Sequence, residues 1–410
     1  MVADPDLDLV VFGASGFTGR LVVQHLARSS PAGTRIGLAG RSADRLGAVR
    51  DELGESAAAW PLLVVDAADD AALASLAART RVVATTVGPY ARYGLPLVRA
   101  CARAGTDYAD LSAEVSFIRR SIDTAAATAE RTGARIVHAC GFDSVPSDLA
   151  VLLLHEAAAA GGAGELTDTT LGVVSMRGGF SGGTVLSALG QLDEARRDPA
   201  IRALLTDPYS LSPDRAAEPD LGRQPDDIGV HREPTFGGWV GPWMMAGANT
   251  RVVRRSNALQ GWGYGREFRY RELVRFGDAP LAPVAAWAVT GGLRAATRAL
   301  GFGPAQAALG RLLPTAGTGP GERTRRAGSF RIQVQTRTSG GQEYVATVAA
   351  TGDPGYTATS VMMGESALAL ALDRDRLPDR AGVLTPATGI GRRLVDRLRA
   401  AGMTWTVQAR

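Results

Sequence analysis

The sequence contains no lysine; all 45 of its basic residues are arginine. That absence excludes a Schiff-base amine, a lysine general base and a phosphate-loop lysine. Cysteine is scarce. Cys101 and Cys140 fit no metal spacing, and two thiols in 410 residues point to a reducing compartment. The four histidines, His25, His138, His155 and His231, form no ligand pair, so no metal is expected. No apolar run reaches the length that spans a bilayer. Residues 1–8 are acidic and lack an apolar core, so no signal peptide is expected and a cytoplasmic location is. The formal net charge of +4 is small and dispersed, which argues against nucleic acid as a partner.

What is present is ample core material. The chain is 45% apolar and 21% charged, and its length suits two domains better than one. In the first part, short runs rich in Val, Leu and Ile at 7–12, 35–39, 62–65, 81–86, 107–111 and 134–139 read as strands. Helical stretches at 17–29, 44–53, 69–79, 95–104 and 116–132 separate them. This alternation predicts an α/β, Rossmann-type doubly wound parallel sheet over residues 1–147. After Gly141 the pattern changes. A helix is expected at 146–160, then longer alternating strands at 169–176, 251–256, 267–276, 329–338 and 343–351, with long loops over 198–242. Helices follow at 359–372 and 389–400. Residues 148–380 therefore read as an α+β substrate or dimerisation domain with a mixed or antiparallel sheet. Residues 381–410 read as a segment packing back on the first domain. An apolar insertion at 280–314 reads either as a buried helical pair or as a helix lying on lipid, at the inner face of the plasma membrane.

The chemistry starts at the first strand-to-helix turn. Gly13-Ala14-Ser15-Gly16-Phe17-Thr18-Gly19 has G-x-x-G-x-x-G spacing. Glycines there allow a tight turn and a close approach of backbone to a pyrophosphate, which the helix N-terminus favours. The second strand ends in Gly40-Arg41-Ser42. An NAD site would place an acidic residue there; arginine is the natural partner of a 2′-phosphate, so NADP (as NADPH) is the expected cofactor. Asp66 fits either the adenine amine or a helix cap. Thr86-Val87-Gly88-Pro89-Tyr90 ends the fourth strand, where a nicotinamide ribose belongs.

These segments resemble the saccharopine dehydrogenase-like oxidoreductases. The resemblance is carried by Gly13–Gly19, Gly40-Arg41-Ser42, Thr86–Tyr90, Gly105-Thr106-Asp107-Tyr108-Ala109-Asp110-Leu111 and Cys140-Gly141-Phe142-Asp143-Ser144-Val145-Pro146-Ser147-Asp148. It continues at Ser181-Gly182-Gly183-Thr184, at Arg254–Leu259 and at Gly382–Ala387, so it spans nearly the whole chain. Within the group the sequence is similar to the trans-acting enoyl reductases of actinobacterial lipid synthesis. That implies an acyl or polyketide substrate, carried on an acyl carrier domain; a peripheral membrane contact, through 280–314, and a homodimer are the further partners expected.

Enoyl reduction asks little of the protein: a held nicotinamide, a stabilised enolate oxygen and a proton for the α-carbon. Tyr90 and Tyr108 sit near carboxyl ends of strands. Either fits the donor role, and either fits packing. Asp143 and Ser144 fit ordering the substrate carbonyl or the carboxamide, with Phe142 beside the cofactor. Ser147 and Asp148 fit the start of the next helix. Glu114 reads as an acid or base, or as a helix-start carboxylate. The amides of 178–184 suit an enolate or phosphate. Trp239, Trp243, Met244 and Met245 fit an acyl pocket or plain core. Arg269, Arg271 and Arg275, with Arg251, Arg254 and Arg255 near in sequence, read as a solvated sheet face suited to an acidic carrier domain or anionic lipid. The expected activity is NADPH-dependent enoyl reduction. The alternatives are an amino-acid or imine reductase of the saccharopine type, against which the absent lysine counts, and a non-catalytic NADP-binding, lipid-associated protein.

Overall fold

Near-continuous apolar strands need cover on both faces, and the first part of the chain supplies it. A computed structural model describes residues 5–178, 182–299 and 319–410. Strand β1 (Leu7–Phe12) leads into α1 (Phe17–Ser29), then β2 (Ile36–Gly40), α2 (Ala43–Leu53), β3 (Leu62–Val64) and α3 (Asp70–Ala78). The alternation continues through β4 (Thr80–Thr85), α4 (Tyr90–Ala104), β5 (Asp107–Asp110), α5 (Val115–Thr132), β6 (Arg135–Val137) and α6 (Val145–Ala160). Then come β7 (Leu166–Arg177), α7 (Gly182–Arg197), α8 (Pro199–Thr206), β8 (His231–Glu233), β9 (Gly238–Pro242), α9 (Ala246–Leu259), β10 (Arg269–Gly277) and α10 (Ala282–Ala299). The chain finishes with α11 (Glu322–Arg326), β11 (Ser329–Thr338), β12 (Glu343–Thr351), α12 (Thr359–Leu372), β13 (Gly382–Leu384), α13 (Pro386–Gly389), α14 (Arg392–Ala400) and β14 (Thr404–Ala409).

Two compact units result. The first holds the residues up to Leu149, Leu186–Gln191 and Gly355–Gly402. Its seven-stranded sheet runs β13-β6-β5-β4-β1-β2-β3, parallel throughout. The winding reverses between β1 and β4. Doubly wound folds take their ligands at the carboxyl ends of strands flanking such a reversal. Leu9, Val10 and Val11 of β1 and Val82, Val83 and Ala84 of β4 are fully buried, as strands in the middle of a covered sheet require. Glu365 of α12 meets His25 Nε2 of α1 at 2.8 Å and Arg397 of α14 at 3.1 Å, so a buried charge network ties the returning helices to the first one. The return begins at Gly355, ahead of residue 381, and brings with it a seventh strand.

The second unit holds Ala150–Val185, Leu192–Pro354 and Met403–Arg410. Its mixed sheet runs β14-β12-β11-β7-β10-β9-β8; β7 and β10 are parallel and the other pairs antiparallel. Three sequence expectations change here. Residues 251–256 form no strand but lie in α9, where Val252 and Val253 share a buried helix with Arg251, Arg254 and Arg255. A β-branched pair between polar residues matches both periods over so short a window. The 198–242 stretch contains α8, β8 and β9; Asp198 caps α8, with Pro199 in its first turn. The last strand, β14, pairs with β12 in the second sheet. In the 280–314 insertion, α10 leaves Val284, Trp287 and Val289 exposed, with Leu281 just ahead of it; residues 300–318 lie outside the described residues. No described helix is long and apolar enough to cross a membrane.

Candidate active site

Between β1 and α1 the backbone is packed closer than a side chain allows. Gly13 sits at φ +92, and a Cβ there would stand 2.8 Å from Thr86 Oγ1. A Cβ on Gly19 would overlap the Gly13 carbonyl oxygen. The Gly13 N–H donates to Ala39 O at 2.9 Å, and Gly16 N–H donates to Gly13 O at 2.9 Å. The N-cap of α1 is Gly16, which has no side chain to claim the first-turn N–H groups. Ser15, Gly16, Phe17 and Thr18 are half-buried around that end, and the Phe17 ring stands edge-on to Tyr356 at 4.8 Å. A helix N-terminus with no capping side chain, reached through a glycine cradle, fits a dinucleotide pyrophosphate.

Arg41 follows β2 directly and is exposed. Ser42 accepts the Arg45 N–H at 3.3 Å and so caps α2. Of the two roles open to Asp66, capping α3 belongs instead to Asp69, which accepts the N–H groups of Ala71 and Ala72. Asp66 turns onto the Ala68 N–H at 2.9 Å and stays exposed at the edge.

At the other end of the crevice, Thr86 Oγ1 donates to Gly13 O at 3.3 Å and Val87 N–H donates to Thr85 Oγ1 at 3.2 Å, locking the end of β4 to the glycine turn. Gly88 is exposed. Tyr90 is buried: its hydroxyl donates to Thr85 O at 3.1 Å and accepts from Leu111 N–H at 3.3 Å, and its ring stacks on Phe117. Burial, with the Asp110 carboxylate nearby, pushes this hydroxyl well above the usual tyrosine range. Glu114 accepts from the N–H groups of Tyr90 (3.1 Å) and Ala91 (2.7 Å) and from Ser187 Oγ (2.6 Å). The protein's own carboxylate therefore closes the N-terminus of α4. Burial raises the Glu114 carboxyl above its ordinary value, against the pull of those hydrogen bonds. This is a capping carboxylate with every oxygen engaged.

Tyr108 belongs to a buried network. Its hydroxyl donates to Asp110 Oδ2 at 2.9 Å, and His138 Nδ1 lies 2.7 Å from the same oxygen. Asp110 Oδ1 accepts the N–H groups of Ser112 (3.0 Å) and Ala139 (3.1 Å), and His138 Nε2 meets Ser121 Oγ at 2.8 Å. Carboxylate acceptance assigns the hydrogen to Nδ1. Ala139 has φ 62, a left-handed conformation that disfavours a non-glycine residue by about 1–2 kcal/mol. Asp110 thus fastens the loops after β5 and β6 together, one of them strained. Tyr108 is fully buried, and desolvation drives its hydroxyl well above the usual range.

The 141–144 turn leads from β6 into α6. Phe142 is buried and its N–H donates to Thr359 Oγ1 at 3.2 Å; Ser144 is buried and its N–H donates to Gly141 O at 3.2 Å. Asp143 between them is half-buried. Asp148 Oδ2 accepts the Ala387 N–H at 2.7 Å, so it serves α13 as well as the start of α6.

Comparison with known proteins then decides the lineage. Residues 9–137 match the saccharopine dehydrogenase NADP binding domain family. A Mycobacterium tuberculosis protein is 53% identical over 98% of each chain. Trans-acting enoyl reductases of Mycobacterium ulcerans and Mycobacterium bovis are 48% and 49% identical, over 98% of this chain and 97% of theirs. The chain belongs to the trans-acting enoyl reductase family. Saccharopine dehydrogenase (L-Glu forming) from Saccharomyces cerevisiae shares the fold, with a TM-score of 0.55 over 98% of this chain and 99% of that one, at 14% identity. The matched NADP binding domain supports NADP(H) as the cofactor of this enoyl reductase family member.

The first unit brings together most of the residues singled out in the sequence: the glycine turn, Arg41, Thr86 to Tyr90, and the 141–144 turn, all at carboxyl ends of parallel strands. Other expectations for this family member change. Arg251, Arg254 and Arg255 are no solvated face. They are buried on α9, and their guanidinium groups donate to Leu205 O in α8 and to Pro208 O and Leu211 O in the loop that follows it. Burial lowers the Arg254 guanidinium to about 10. On β10, Arg269 is exposed, Arg271 pairs with Glu233 at 2.7 Å, and Arg275 donates to Phe236 O and Gly237 O. Trp243 and Met245 are buried, Trp239 is half-buried and Met244 is exposed, so the four do not share one environment. The 178–184 loop lies in part outside the described residues. Sequence reasoning missed Asp110 and His138 as a pair, because 28 residues separate them and only the adjacency of β5 and β6 joins them.

Proposed function

We propose that this chain is an NADPH-dependent enoyl reductase acting in trans, on an acyl or polyketide chain built by a separate synthase. The observation that carries the proposal is near 50% identity, over nearly the full length of both partners, to proteins bearing that activity as their name. When bound, NADPH supplies the hydride that reaches the β-carbon. The glycine turn and the N-terminus of α1 hold its pyrophosphate, and Arg41 holds the 2′-phosphate. Thr86, locked onto the turn, and the exposed backbone of Gly88 position the nicotinamide end. Tyr90, Tyr108 and Glu114 hold the frame rather than the proton, because their polar atoms already have partners. Asp143 and Ser144, on the turn beside Phe142, order the substrate carbonyl or the nicotinamide carboxamide, and a positioned water delivers the proton to the α-carbon. The exposed apolar residues around α10, Leu281 at 74% and Trp287 at 55%, support a lipid contact for the second unit.

NADPH oxidation measured against enoyl thioesters, ketones and imines tests this. Turnover confined to enoyl thioesters is expected. Turnover of imines alone would reassign the chain to the amino-acid reductases, and tight cofactor binding without any turnover to the non-catalytic class.

A further inference from the structure

The 2′-phosphate end of the cofactor site contains a residue whose chemistry does not suit its local position. Ser42 caps α2, and a capping serine is commonly followed three residues on by glutamate or glutamine, whose side chain returns to the cap. Here that position holds Arg45. A cation in the first turn of a helix opposes the helix dipole, by some tenths of a kcal/mol at an exposed site. The side chain does not turn away. It reaches back across the edge of the sheet, and its Nη2 lies 3.5 Å from Ser15 O, inside the glycine turn. Ser15 also lies against Gly40, where an added Cβ would stand 3.7 Å from its Oγ. Arg45 is exposed, as is Arg41 one residue before the cap. Two exposed arginines therefore stand at the start of α2, and the side chain of Arg45 spans from that helix to the turn that takes the pyrophosphate. The position that usually carries a carboxylate carries a cation instead.

We infer that Arg45 is a second determinant of the preference for NADPH: Arg41 and Arg45 hold the 2′-phosphate from two sides, and the Ser15 carbonyl orients Arg45 for it. Ser42 sets their spacing by fixing the first turn of α2. The inference rests on the assignment of the 2′-phosphate to Arg41. A phosphate monoester has oxygens enough for both guanidinium groups, and charge-assisted hydrogen bonds to it are among the stronger ones available at an exposed site.

Titration calorimetry on the full chain tests this, with 2′,5′-ADP as the probe and 5′-AMP as the control. Arg45→Ala is expected to weaken 2′,5′-ADP roughly tenfold and leave 5′-AMP within about twofold, with Arg45→Lys falling between the parent and Arg45→Ala. Arg41→Ala is measured alongside. If Arg41→Ala weakens 2′,5′-ADP and Arg45→Ala does not, the role of Arg45 is overturned and the Arg41 assignment stands. If neither substitution discriminates between the probes, the 2′-phosphate site itself is misplaced. Equal weakening of both probes by Arg45→Ala overturns a phosphate-specific role and makes Arg45 a support for the glycine turn.

Discussion

Replacing Arg41 with aspartate raises the KM for NADPH about a hundredfold or more and moves that for NADH by no more than about threefold. The size follows from what is exchanged. A guanidinium beside a phosphate makes charge-assisted hydrogen bonds of about 1.5–3 kcal/mol, and each 1.4 kcal/mol is tenfold. An aspartate removes them and adds repulsion against the same phosphate. It also supplies the acceptor that an NADH-preferring site uses for the ribose 2′-hydroxyl, which offsets the loss for NADH. Because Arg41 is exposed, the effect on NADPH shrinks as ionic strength rises. Steady-state kinetics with both cofactors at low and high salt measures this, and equal losses for the two would remove Arg41 from the 2′-phosphate.

Asp110→Ala lowers the melting temperature by about 10 °C, the largest stability effect expected of a single substitution near the site. The carboxylate accepts from four buried donors: the Tyr108 hydroxyl, His138 Nδ1 and the N–H groups of Ser112 and Ala139. Each donor left buried without a partner costs about 1–3 kcal/mol before relaxation. A loss near 4 kcal/mol corresponds to roughly that shift for a unit of about 200 residues. The left-handed Ala139 also loses the contact that holds it. Asp110→Asn is milder, because an amide oxygen can keep the two backbone N–H groups and His138 can carry its hydrogen on Nε2, toward Ser121. Melting curves of both variants decide the matter. An Asp110→Ala protein that melts within about 2 °C of the parent would show that the network does not hold the two loops.

What could be read from the sequence follows from what each feature needs. The glycine turn is local: its constraint is backbone clearance within seven residues, so the spacing Gly13, Gly16, Gly19 reports it directly. Arg41 is legible because it must follow the second strand at once. The parallel order of six strands is legible because βαβ units leave an alternating trace. The seventh, β13, is not; three residues pair with β6 only because α12 has brought the chain back. The α9 segment misleads because Arg251, Arg254 and Arg255 are buried, which charge patterning alone would not place inside. Beside Asp226, which pairs with Arg251, their partners include backbone carbonyls some 45 residues upstream, and carbonyls leave no mark in a sequence. Tyr90 and Tyr108 drew attention as hydroxyls at strand ends. The neighbours that occupy those hydroxyls, Thr85 O, Leu111 N–H and Asp110, become visible only in three dimensions.

The central claim is that the chain adds a hydride and a proton across a carbon–carbon double bond. NADPH deuterated at the reactive C4 position, mixed with the protein and a trans-2-enoyl thioester in ordinary water, should give a saturated thioester with one deuterium on its β-carbon. Unlabelled NADPH in deuterated water should place one deuterium on the α-carbon instead. Deuterium on the carbonyl carbon, or a saturated product carrying no label from the cofactor, would contradict the account.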